Sequence, residues 1–163
     1  MIPLRDTIPS RRVAWITRLL IVANVLVFAL ELSQGHRLEQ FIARFGFVPA
    51  HWTPLALLTS QFLHGGFAHL AANMLYLWIF GDNVEDRLGH LRFLCLYLTC
   101  GAVAGLSQLL LSSHSTVPMV GASGAIAGVL GAYFLLFPSA RIVTLVPIGF
   151  FLQTMSCRLL YFC

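Results

Sequence analysis

Long apolar blocks broken by short polar interruptions set the pattern of this chain. The first block covers residues 15–32, the second 67–80, the third 93–111 and the fourth 120–137. Roughly 20 apolar residues cross the ~30 Å of hydrocarbon in a bilayer, so these blocks predict four transmembrane helices. A fifth stretch, 142–152, is short and interrupted by Pro147 and Gly149. It completes a crossing only if residues 154–162 take part, and is therefore expected to be a partial fifth span. The predicted fold class is all-α: a polytopic membrane helix bundle.

The polar interruptions set an orientation. Arg5, Arg11, Arg12, Arg87, Arg92 and Arg141 fall on one side of the predicted bundle, and Arg37, Arg44 and Arg158 on the other. Arginine accumulates in cytoplasmic loops, which predicts a cytoplasmic N-terminus. The segment 33–59 is then a long external loop whose apolar patches sink into the interface. A basic start followed by an apolar run also fits a signal peptide, but no small-residue cleavage site follows Leu30. The expected organisation is a cytoplasmic segment at 1–14, a membrane domain at 15–152 and an atypical tail at 153–163. A bacterial plasma membrane is the expected location.

Composition agrees with this reading. Of the 163 residues, 58% are hydrophobic and 10% charged, against about 25% charged in soluble domains. The mean hydropathy is +0.84. A net charge of +4 without a basic run gives no footprint for nucleic acid. The four cysteines are too scattered for a disulfide framework or a zinc site. Neither cofactor nor metal is expected.

Two strings carry candidate chemistry. In the first, His69 and Asn73 are four residues apart and share a helix face, with His64 about one turn earlier. In the second, Gly121-Ala122-Ser123-Gly124 places a hydroxyl at the start of an apolar helix. Polar side chains at membrane depth are rare and face the bundle interior. Two neutral donors on one face, with the Ser123 amide near a helix N-terminus, suit the oxyanion of an acyl-transfer intermediate. Each feature has a plainer reading. Asn73 can join helices by hydrogen bonding, and Ser123 can bond back to its own helix. His36, His51, His90 and His114 read as structural. His64 and His69 lack the further ligands that a metal needs. The glycine pairs Gly101/Gly105 and Gly124/Gly128, with Gly131, read as close helix packing, and the fourth helix as the middle of the bundle.

The combined pattern resembles the rhomboid intramembrane serine proteases. It runs His64-x-x-x-x-His69-x-x-x-Asn73, then Glu85-Asp86-Arg87-Leu88-Gly89, Gly121-Ala122-Ser123-Gly124 and Phe137-Pro138, over most of residues 10–150. The resemblance implies that Ser123 is the nucleophile. It assigns His69 and Asn73 to the oxyanion hole, with the Ser123 amide, and makes His64 an accessory residue. It further implies a water-filled cavity above the serine, and membrane-anchored protein substrates cleaved near the top of their spans in the lipid bilayer.

Two departures accompany the likeness. Trp52 is followed by Thr53 where the family usually carries a Trp-Arg pair. The family's base histidine stands on a sixth span, and no histidine follows Ser123 here. The chain therefore reads as a truncated or frameshifted member, with His114 the conceivable substitute base. Losing the base of a serine hydrolase costs roughly 10⁶-fold in turnover. The alternative is a catalytically inactive rhomboid-like protein that binds single-span clients. A channel or transporter lacks support, with no inverted repeat or paired broken helices.

Overall fold

The computed structural model describes residues 2–9, 12–148 and 151–158. It is mostly helical. The long helices are α1 (Trp15–Ser33), α4 (Phe67–Leu88), α5 (His90–Leu111) and α6 (Ser123–Leu136). Between α1 and α4, the connection folds into two short helices, α2 (Leu38–Phe45) and α3 (Pro54–Thr59), with single 3-10 turns around them. α1 and α5 are long and apolar enough to cross a membrane, and α6 is a shorter apolar helix. α4 has the length, but its last turns carry Asp82, Glu85, Asp86 and Arg87.

Local sequence explains most helix ends. Thr53, where the family pattern has arginine, caps α3: its hydroxyl accepts from the Ala56 amide at 3.1 Å, and Pro54 opens the helix. Gly89 separates α4 from α5 at φ +83°, a conformation that favours glycine. Its amide closes α4 on the Glu85 carbonyl, and its own carbonyl receives the Phe93 amide. α1 has no cap of its own. Glu85 serves instead, from the far end of α4. Its carboxylate accepts from the Ile16 and Thr17 amides at 2.9 and 2.7 Å and from the Thr17 hydroxyl at 2.7 Å. A negative charge on free amides at a helix N-terminus is the favourable sign. His90 pairs with the same carboxylate from α5.

The core lies where α4, α5 and α6 meet, around Leu77, Val84, Phe93, Tyr97, Val129 and Tyr133. Small residues bring α5 and α6 together. A Cβ on Gly124 would meet Ala104, and one on Gly128 would meet Cys100. Gly101 and Gly105 do the same for the connection, against Gln61 and Leu57. Gly131 differs: a Cβ there would meet nothing within 4 Å, so packing does not explain it. It lies on an exposed face of α6 with Ser123, Ala127 and Phe134. Among the described residues α6 is covered by α4 and α5 on its other side.

The all-α expectation is corrected at the two ends. Residues 2–6 form β1 (Ile2–Asp6), and the predicted partial fifth span is a hairpin of β2 (Arg141–Ile148) and β3 (Phe151–Arg158). The three strands form one antiparallel sheet in the order β1-β2-β3, with a bulge between Pro3 and Arg5. The physical reason is local. The run Ile142-Val143-Thr144-Leu145-Val146 is mostly β-branched, and Pro147 would cost a helix interior about 3 kcal/mol. Pro3 sits on the edge strand beside the bulge, where a missing amide is tolerated. Asp6 ties this sheet to the helices, accepting from Asn83 Nδ2 and the Tyr133 hydroxyl, both at 2.7 Å. Burial pushes its carboxyl above the usual range, and the Tyr133 bond opposes that shift. Of the expected tail, residues 159–163 lie outside the described residues.

Candidate active site

The turn Gly121–Ala122 and the first residue of α6, Ser123, form the centre of the site. Gly121 has φ +124° and donates its amide to the Ser60 carbonyl at 2.9 Å. His69 and Asn73 reach it from α4. A Cβ built on Gly121 would lie 2.6 Å from His69 Cε1, 2.8 Å from His69 Nε2 and 3.7 Å from Asn73 Nδ2. The helix spacing read from the sequence therefore brings both side chains to one spot. That spot is two residues from Ser123, at most about 7 Å along the chain. Asn73 is buried and its Nδ2 has no hydrogen-bond partner among the described residues. A buried amide donor without a partner is costly and suits a ligand oxygen.

Ser123 is exposed and lines a cavity of about 110 Å³ with Ser60, Gln61, Gly101 and Met119. That volume accommodates water, which needs roughly 10–15 Å³ by the same measure. His69 and Asn73 are not among its lining residues; they meet the turn on its α4 side. Ser123 begins α6 next to its N-cap, Ala122, so its amide is one of the free helix-start donors. Among the described residues no hydrogen bond links its hydroxyl to a histidine. His114 is exposed in the loop before α6 and makes no such bond.

His64 stands behind His69. The two rings meet edge to face at 5.2 Å. His64 Nδ1 lies 3.2 Å from the Phe62 carbonyl, which can only accept, so Nδ1 carries the proton and Nε2 is bare. Burial, then the neighbouring His69, lowers the His64 pKa to about 4. The ring is neutral at physiological pH. Between about pH 4 and 6.5 the unfolded chain binds the His64 proton and the folded chain does not. Stability is expected to fall as pH drops through that window and to level off above it. Thermal unfolding in detergent across this range checks the sign, and the slope should shrink in His64→Gln.

One residue of this site was not singled out from the sequence. Glu31, near the end of α1, is buried and accepts the His64 amide through both carboxylate oxygens, at 3.0 and 3.3 Å. It pins the loop that leads into α4. An isolated carboxylate inside an apolar span is a signal that could have found it. Of the histidines read as structural, His36 and His51 are exposed, and His90 pairs with Glu85. Among the described residues no group of three His, Cys, Asp or Glu side chains could hold a metal.

The sequence pattern of the Rhomboid domain matches residues 51–163. The chain belongs to the rhomboid family. It is 37% identical to Rhomboid protease GluP of Bacillus subtilis (strain 168) over 140 residues, covering 82% of this chain and 27% of that protein. It is 33% identical to Rhomboid protein 1, mitochondrial, of Saccharomyces cerevisiae over 129 residues, covering 76% and 37%. It is likewise 33% identical to the human Presenilin-associated rhomboid-like protein, mitochondrial, over 126 residues, covering 76% and 33%. The chain thus spans only about a quarter to two-fifths of the length of these three relatives. The rhomboid family is membrane-integral and is known for intramembrane serine proteases; the matched relatives include bacterial and mitochondrial ones.

Proposed function

We propose that this chain carries the site of a rhomboid-type serine endopeptidase for membrane-anchored proteins. Ser123 is the nucleophile. His69, Asn73 and the Ser123 amide donate to the carbonyl oxygen as it becomes an oxyanion, and His64 holds His69 in place. The observation that supports this reading is the approach of His69 Nε2 and Asn73 Nδ2 to Gly121, with the Asn73 donor unpartnered. Developing negative charge would meet preorganised donors there.

The membrane placement belongs to the same proposal. α1, α4, α5 and α6 are the four spans. α6 has 14 residues, about 21 Å at 1.5 Å per residue. Ser123 would therefore start below the membrane surface. The N-terminus faces the cytoplasm of a bacterial cell, following the arginine asymmetry.

Nucleophilic attack requires the Ser123 proton to leave, and a serine without an adjacent base is weak. Turnover by these residues alone is slow, which leaves the inactive client-binding protein as the second reading. Purified protein in liposomes with a fluorogenic single-span substrate tests both. Product formation and fluorophosphonate labelling are expected to disappear in Ser123→Ala. Equal rates in the two proteins would remove catalysis by this site. Client capture that persists in Ser123→Ala, with no product from either protein, would establish the second reading.

A further inference from the structure

At the end of the bundle away from Ser123, a cavity of about 410 Å³ opens between the start of α1 and the end of α4. Arg12, Arg18, Thr17, Trp78 and Asp82 line it. We propose that it seats the phosphate of an anionic membrane phospholipid.

The two arginines carry this assignment. Both guanidiniums are on exposed residues, and Glu85, which reaches the Thr17 wall of the cavity, is paired with His90. Guanidinium forks match phosphate oxygens in shape and charge. The wall opposite carries Asp82, whose carboxylate accepts the Asn83 amide at 2.7 Å. Glu85 already occupies the Ile16 and Thr17 amides, so the anion is left to the two guanidiniums.

The apolar surroundings favour a lipid over a free anion. Trp15 and Trp78 flank the cavity at 58% and 57% exposure, and the Arg18 guanidinium lies 5.7 Å from the Trp15 ring centre. Half-exposed indoles of this kind mark the headgroup level of a bilayer. Leu19, Val22 and Leu26 follow on the outer surface of α1, each more than half exposed. They form an apolar track running from the arginines along which acyl chains can lie.

The test is lipid retention by the full 163-residue chain, read by native mass spectrometry after exposure to equimolar phosphatidylglycerol and phosphatidylcholine. Arg12→Gln/Arg18→Gln is compared with Arg37→Gln/Arg44→Gln, which removes the same charge at the opposite end of α1. Wild type and the control pair are expected to retain phosphatidylglycerol preferentially. The Arg12/Arg18 pair should lose that preference by roughly thirtyfold, about fivefold per arginine. Each single variant, should the pair fail to fold, is expected to show the fivefold part. Equal retention of both lipids by wild type overturns the proposal, as does equal loss in both double variants. Displacement by millimolar inorganic phosphate would overturn the lipid assignment in favour of a free-anion site.

Discussion

Gly121→Ala is expected to slow fluorophosphonate labelling of Ser123 by about 10²–10³-fold, the usual effect of losing one oxyanion donor. The substitution does two things at one atom. It places a Cβ 2.6 Å from His69 Cε1 and 2.8 Å from Nε2, closer than real contacts allow. It also puts a side chain on a residue at φ +124°, a conformation that L-residues rarely adopt. The turn or the His69 ring must move, and either motion breaks the approach of His69 and Asn73 to the Ser123 end of α6. Helix content should be retained, since Gly121 precedes α6. Measuring labelling rate and circular dichroism on the same sample separates a displaced site from an unfolded chain. Labelling at the wild-type rate would mean that His69 and Asn73 do not serve the reaction at Ser123.

Glu85→Ala is expected to be strongly destabilising, by about 1–3 kcal/mol for each buried donor left unpaired. The carboxylate is 1% exposed and accepts two amides and a hydroxyl from the start of α1, while pairing with His90 of α5. Its removal leaves donors of α1 unsatisfied and separates three helices at one point. Thermal unfolding in detergent reads the loss. Glu85→Gln keeps the shape and one acceptor oxygen, so it should fall between Glu85→Ala and wild type. A midpoint unchanged in Glu85→Ala would show that water satisfies the first turn of α1 as well as the carboxylate does.

The two predictions differ in how far the sequence alone anticipates them. His69 and Asn73 were legible because a helix places residues four apart on one face, whatever packs against it. Ser123 was legible because a glycine-flanked hydroxyl is unusual at the start of an apolar run. The partner of that face was not legible. The close approach of His69 to Gly121 depends on α4 and α6 meeting at one height, which spacing within either helix does not encode. Glu31 escaped, and Glu85 was read only as part of the family pattern, for a related reason: each caps or pins backbone more than thirty residues away. The hairpin at β2 and β3 was missed because a short apolar run is ambiguous between strand and span. Its β-branched composition and Pro147 were the available signs.

The chain's own order of residues determined its membrane character, its long helices and the two polar strings, because hydropathy and helical periodicity are properties of neighbours in sequence. Tertiary structure alone decided that Gly121 receives His69 and Asn73, that Glu85 caps α1, and that the two ends of the chain join in a sheet. Each of these is a contact between segments far apart in sequence. Such a contact exists only once packing has fixed where the helix ends lie.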